Sequence, residues 1–166
     1  MKIMRISRIV LILAGLALTA CRGGDSTGFA PDFALTSPDG KTVTLSSKKG
    51  RVVLLNFWAT WCDSCKEEIP VLKRLSLSQA ADGFELLSVS VDDDPTKAVP
   101  PFAAKYAVTY PLLYADRRTM DAYAVRMLPT TFLIAADGSI VRRYVGPLDA
   151  VAVENDILSL LHRRPS

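Results

Sequence analysis

The stretch "NFWATWCDSCKEEIP", Asn56 to Pro70, changes its pattern at a single point. It begins inside "RVVLLNFWA", Arg51 to Ala59, a continuous apolar and β-branched run of the kind a strand buried on both faces shows. From Cys62 onward the spacing becomes helical: Ile69, Leu72 and Leu75 recur every third residue, with Lys66, Lys73 and Arg74 between them. Pro70 removes a backbone donor within this helix and is expected to kink it. Cys62 therefore falls where a buried strand gives way to a helix N-terminus, and Cys65 follows one turn later.

The flanking sequence supplies the remaining elements. "PDFAL" and "KTVTL" enclose the turn signal "SPDG" and read as an N-terminal β-hairpin. "FELLSVSV", Phe84 to Val91, is a second buried strand, left by the acidic loop "DDDP". A helix around "FAAKYAV", a short strand at "PLLYA" and a helical turn near "TMDAYAV" come next. "TTFLIAADGSIVRRYVG" carries the strongest hairpin signal, with Asp137-Gly138 at its turn. "LDAVAVENDILSLLH" closes the chain as an amphipathic helix. Strands alternating with helices, plus a late hairpin, give an α/β layered fold with a mixed sheet.

The N-terminus is expected to lie outside that fold. "MKIMRISR" carries Lys2, Arg5 and Arg8 without an acid, and the apolar run "IVLILAGLALTA" follows. These are the n- and h-regions of an export signal over residues 1–20, too short for an ordinary spanning helix of ~20 apolar residues. The junction "LTAC", Leu18 to Cys21, resembles a bacterial lipobox, which implies cleavage before Cys21 and a lipid on its sulfur; ordinary signal cleavage nearby, leaving Cys21 a free thiol, is the alternative. Residues 21–30 then serve as lipidated end and flexible tether, and residues 31–162 as the domain. The chain has 20 basic and 17 acidic residues; without the leader's three, the two signs balance at 17 each, so nothing basic is left over for nucleic acid. The 146 residues after position 20 suit one core. Export also allows a disulfide to persist.

A Cys-x-x-Cys pair serves as metal clip, structural bridge or redox centre. Structural zinc takes four ligands, and beyond the pair the chain offers only Cys21 and the distant His162. A bridge closing so small a loop constrains the unfolded chain little. A thiolate, by contrast, is stabilised at a helix N-terminus by unpaired N–H groups and the helix dipole, and a neighbouring thiol completes the requirement for exchange.

"NFWATWCDSCKEEIP", taken with "LPTTFLIAADGSIVRRYVG", resembles the membrane-attached thioredoxin-like thiol-disulfide oxidoreductases of the TlpA/ResA type, over about Pro31 to Leu161. The resemblance implies a thioredoxin fold, a central mixed sheet flanked by helices with the N-terminal hairpin as an extension. It implies Cys62 as the attacking and Cys65 as the resolving cysteine of a redox disulfide, and Pro129 as a proline with a cis bond lying against that disulfide. Trp61, Leu128 and Thr130 correspond to the substrate-binding rim. Thioredoxin's buried aspartate is Asn56 here, which cannot take a proton, while Glu68 matches a glutamate beside the family's active site and is expected to handle the proton of Cys65. Glu67 is expected to be solvated. The carboxylate of Asp63 opposes a stabilised thiolate, which favours a reducing centre.

The activity so implied is reduction of disulfides in exported proteins, with apocytochrome c or copper-delivery proteins for oxidase assembly as candidate substrates. No organic cofactor is needed. Electrons would come from a membrane thiol transporter of the DsbD or CcdA kind, on the periplasmic side of a bacterial membrane. Two rivals stand beside it. A thiol peroxidase shares this fold, but needs a threonine three residues before its cysteine, whereas Thr60 lies two before Cys62 and lacks the proline-led loop. A Cu(I)-binding lipoprotein would use the soft thiolates, but the chain has no Met or His cluster to complete a site. Asp92, Asp93 and Asp94 read as a solvated acidic loop rather than a cation site. Arg142 and Arg143 are expected on the exposed side of an edge hairpin, and Tyr106, Tyr110, Tyr114 and Tyr123 in packing roles.

Overall fold

The computed structural model describes residues 28–79 and 83–162. The expected leader, Cys21 and most of the tether lie outside the described residues. In chain order the elements are β1 (Ala34–Thr36), β2 (Thr42–Thr44), a 3-10 turn (Ser46–Lys48), β3 (Val52–Trp58), α1 (Asp63–Gln79), β4 (Phe84–Ser90), α2 (Pro95–Lys105), β5 (Leu112–Tyr114), α3 (Arg117–Ala122), β6 (Thr130–Ile134), β7 (Ile140–Val145) and α4 (Ala150–His162). The seven strands form one sheet in the order β2-β1-β5-β4-β3-β6-β7. Parallel pairing runs from β3 to β4 and from β4 to β5; the hairpins at both edges are antiparallel. This is the thioredoxin-like arrangement: a mixed sheet with helices on both faces.

Every residue of β3 is buried, because the strand has two covered faces. Val52, Leu54 and Trp58 join a cluster with Cys62, Cys65, Ile69, Leu72 and Leu75 of the α1 segment and with Val153 and Ile157 of α4. Val53, Leu55 and Phe57 face the opposite cluster, built on Phe33, Leu35, Tyr123 and Phe132. The alternation has one polar exception on the α1 face, Asn56.

Two boundaries differ from the sequence reading. The helix expected around "FAAKYAV" begins seven residues earlier, at Pro95, where a proline in the first turn costs no hydrogen bond. It ends where Ala107 enters the left-handed region at φ +48°, with Val108 N–H returning to Ala103 O at 2.9 Å. Pro70 lies inside α1, where the sequence reading put it, and the helix spans it as one element. Residues 28–30, assigned to the tether, pair with the β6–β7 hairpin instead: Ala30 N–H donates to Gly138 O and Ile140 N–H to Gly28 O.

Candidate active site

The C-terminal ends of β3 and β4 and the N-terminal end of β6 meet at one end of the sheet, since Trp58 pairs with Ser90 and Phe57 with Thr130. Three loops emerge there: Ala59 to Cys62, Val91 to Asp94 and Met127 to Pro129. The first carries Cys62 to the start of α1. Cys62 and Cys65 form a disulfide with an S–S distance of 2.08 Å. The backbone N–H of Cys65, third residue of the helix, donates to Cys62 Sγ at 3.2 Å. That is the bond an N-cap side chain accepts, so the sulfur of Cys62 occupies the position where the helix presents its unpaired donors and positive pole. Both sulfurs lie in buried residues.

Glu68 stands on the same helix, three residues after Cys65, and such positions are neighbours on a helix surface. It is 1 % exposed. Its Oε1 accepts from Asn56 Nδ2 at 2.7 Å, while Oε2 is buried without a hydrogen-bond partner. Burial pushes its carboxyl up from 4.5 to about 7, against the smaller lowering effects of Asn56 and the Leu148 backbone. Asn56 is thus not merely a lost acid. Its amide also donates to Thr131 Oγ1 at 3.0 Å, and its carbonyl accepts from Ser88 Oγ at 3.0 Å. Ser88, Asn56 and Thr131 are register partners across β4, β3 and β6. They form a polar row beneath α1 that aims one donor at Glu68. Burial likewise raises the Tyr110 phenol, and the charge of Glu68 adds to the effect. Glu67 is exposed, as expected.

Asp63 turns to solvent, its side chain 92 % exposed and paired with Lys66 at 2.6 Å. Its charge is therefore screened by water and a cation, and it supplies little of the opposition to a thiolate that the sequence reading gave it. Asp92 departs further from expectation. It is 9 % exposed and accepts from Thr60 N–H at 3.1 and 3.2 Å, from Thr60 Oγ1 at 2.6 Å and from Ser90 Oγ at 2.7 Å. Of the acidic run, Asp94 does face outward, to Thr96 and Lys97. The signal for Asp92 lay in the period of two: Ser88, Ser90 and Asp92 place small polar groups on one face of a strand whose alternate residues are Leu87, Val89 and Val91.

The Leu128–Pro129 peptide bond is cis. Pro129 is buried, and its carbonyl accepts from Gly146 N–H at 2.9 Å. Leu128, half-buried, packs against both core clusters, including the one that holds the two cysteines. Thr130 corrects an expectation. Its side chain is fully buried and its hydroxyl donates to Met127 O at 2.7 Å, so it braces the loop instead of lining the rim. Met127, 63 % exposed, is the apolar side chain this loop shows to solvent, and Trp61, 66 % exposed, is its counterpart on the cysteine loop. Met127 was not among the rim residues expected from the sequence, because a lone methionine carries no pattern that marks it as exposed. Among the described residues, no group of three or more His, Cys, Asp or Glu side chains converges on a common point.

Comparison with known proteins agrees with this geometry. The model of the AhpC/TSA family matches residues 28–143. Thiol-disulfide oxidoreductase ResA of Bacillus subtilis is 38% identical over 133 residues, covering 80% of this chain and 73% of the relative. Among solved structures, a thiol:disulfide interchange protein of the thioredoxin family from Chlorobium tepidum superposes with a TM-score of 0.74 at 26% identity, over 83% of this chain and 99% of the other. The pneumococcal exposed lipoprotein thioredoxin Etrx1 of Streptococcus pneumoniae gives 0.66 at 27%, over 78% and 100%.

Proposed function

We propose, for a chain that belongs to the AhpC/TSA family and is a thiol-disulfide oxidoreductase of the ResA type, that it acts as a membrane-tethered, extracytoplasmic reductase of protein disulfides. The observation that carries this reading is the hydrogen bond from Cys65 N–H to Cys62 Sγ at the head of α1. The same N–H stabilises a thiolate when Cys62 is reduced. That thiolate attacks a substrate disulfide, forms a mixed disulfide and releases the first substrate thiolate. Cys65, deprotonated with Glu68 as the base, attacks the sulfur of Cys62. The mixed disulfide breaks, the Cys62–Cys65 bond forms and the second substrate thiolate leaves. Two electrons have passed from the pair to the substrate.

A carboxyl poised at about 7 suits the base role, because it is available in both protonation states near neutrality. The buried position of Glu68 also supports the reducing direction. In a low-dielectric pocket its anion opposes a further negative charge on sulfur, which disfavours the reduced pair and makes it a better electron donor. Trp61, Met127 and Leu128 supply the apolar rim, and the cis-proline loop offers backbone to an extended substrate strand.

The site of action rests on the leader, on Cys21 in its lipobox setting and on the similarity to an exposed lipoprotein thioredoxin. Among the described residues no helix is long and apolar enough to cross a membrane. Regeneration of the dithiol falls to a membrane thiol donor of the DsbD or CcdA kind, with apocytochrome c or copper-delivery proteins as substrates. The test is trapping with Cys65→Ala. The expected result is substrate held on Cys62 as a mixed disulfide that reductant releases; a variant that captures nothing under conditions where wild type turns over refutes the assigned order of attack.

A further inference from the structure

We propose that Asp92 and Thr60 form a clamp that raises the reduction potential of the Cys62–Cys65 pair by holding the cysteine turn in place once the disulfide has opened. Thr60 lies two residues before Cys62, and Asp92 takes both its backbone N–H and its hydroxyl. Ser90 Oγ donates to the other carboxylate oxygen at 2.7 Å and accepts from Asp92 N–H at 3.2 Å, which fixes the carboxylate on the end of β4. Val91 N–H to Trp58 O at 2.8 Å extends the β3–β4 ladder to the same point. The turn bearing Cys62 is thus hung from β4 by a buried carboxylate whose hydrogen bonds are charge-assisted, the stronger kind.

The clamp does not serve the two redox states equally. In the oxidised protein the Cys62–Cys65 bond itself ties the end of the turn to α1. Reduction removes that covalent tie. The turn is then held by Cys62 N–H to Ala59 O at 3.2 Å, by the Cys65 N–H to Cys62 Sγ bond at 3.2 Å, and by Asp92. A loosened turn lets Cys62 leave the helix N-terminus, and its thiolate loses the donor it needs. Thr60 and Asp92 therefore stabilise the reduced form more than the oxidised form. Weakening them makes the pair more reducing and Cys62 a slower nucleophile. Asp92 also carries a charge whose removal would favour a thiolate, so the cleaner perturbation is at Thr60, which leaves that charge in place.

The experiment equilibrates wild type, Thr60→Val and Thr60→Ser with a glutathione redox buffer and measures the reduced fraction. A hydrogen bond to a charged acceptor, lost mainly in one state, shifts that equilibrium about tenfold. For this two-electron couple tenfold corresponds to about 30 mV, here toward more negative values. Thr60→Ser keeps the hydroxyl and should sit at the wild-type potential. A purely structural role would lower the melting temperature of both redox forms and leave the potential unmoved; that result, or a positive shift in Thr60→Val, overturns the proposal. Thr60→Ala, which is smaller than the native residue, repeats the measurement should valine not be accommodated. The inference rests on the redox activity of the pair and not on which sulfur attacks, so a failed Cys65→Ala trap leaves this measurement intact.

Discussion

Replacing Glu68 by glutamine should make the oxidised protein more stable at alkaline pH and leave it unchanged at acid pH. The carboxyl ionises near 4.5 in an unfolded chain and at about 7 in the folded protein, where burial penalises the anion. Below about pH 4.5 the group is protonated in both states and folding carries no penalty from it. Between these values the folded protein keeps a proton that the unfolded chain has released. Stability therefore falls as pH rises, by about 1.4 kcal/mol per pH unit. The fall ends once the folded carboxyl has ionised, and over the interval from 4.5 to about 7 it amounts to about 3 kcal/mol. Glutamine has no proton to lose. Its Oε1 can still accept from Asn56 Nδ2.

Urea denaturation of wild type and Glu68→Gln, both with the Cys62–Cys65 disulfide intact, tests this from pH 4.5 to 8.5. Keeping the disulfide removes thiol ionisation from the comparison, and every other titrating group cancels in the difference. The stability difference should start near zero and grow to about 3 kcal/mol in favour of the variant, with its midpoint in the rise between the two ionisations. Parallel curves across the whole range would refute the reasoning: Glu68 would then ionise alike in folded and unfolded chains, and a base poised near neutrality would be lost from the mechanism. In the reduced protein the same substitution should slow turnover, because Cys65 loses its proton acceptor.

Asn56→Asp places a second carboxylate against Glu68, in the position of a donor that now lies 2.7 Å from Oε1. Two carboxyls at that distance share one proton, so the pH at which the pocket finishes ionising should move up; infrared titration of the protonated carboxyl band would show it, and an unmoved midpoint would separate Asn56 from control of Glu68. Cys21→Ser should release the protein from membranes when it is expressed in a bacterium that processes lipoproteins. Fractionation with a radiolabelled fatty acid checks this, and a variant that stays membrane-bound would remove Cys21 as the anchor.

The layered fold was legible because its signals are local. β3 reads as a strand with two covered faces from its unbroken apolar run, and the β6–β7 hairpin announces itself at Asp137-Gly138. The disulfide pair was legible for the same reason, since the change of period places Cys62 on the strand–helix junction. What escaped was relational. "DDDP" looks like a solvated loop because the donors that bury Asp92 come from Thr60, 32 residues earlier, and only parallel pairing of β3 with β4 brings the two loops together. Thr130 was placed on the rim by the resemblance alone; its hydroxyl turns inward to Met127 O instead.

The polar residues that composition could not place share one location. Asn56, Ser88, Thr131, Glu68 and Asp92 are all buried, and all lie near the end of the sheet from which the cysteine loop springs. Elsewhere the two core clusters are built almost wholly from apolar side chains, as stability alone would favour. Burying a carboxyl with one oxygen unpartnered is costly, and a leucine at position 68 would avoid that cost. A fold selected only to pack would have no use for such a group under a disulfide. A fold that must move a proton each time the disulfide opens and closes does have one, because the same desolvation that destabilises the Glu68 anion brings its proton affinity to the range where a thiol can exchange a proton with it. The reading we propose for Glu68, as the proton carrier of the redox centre, accounts for that buried carboxyl, and the Glu68→Gln measurements decide it.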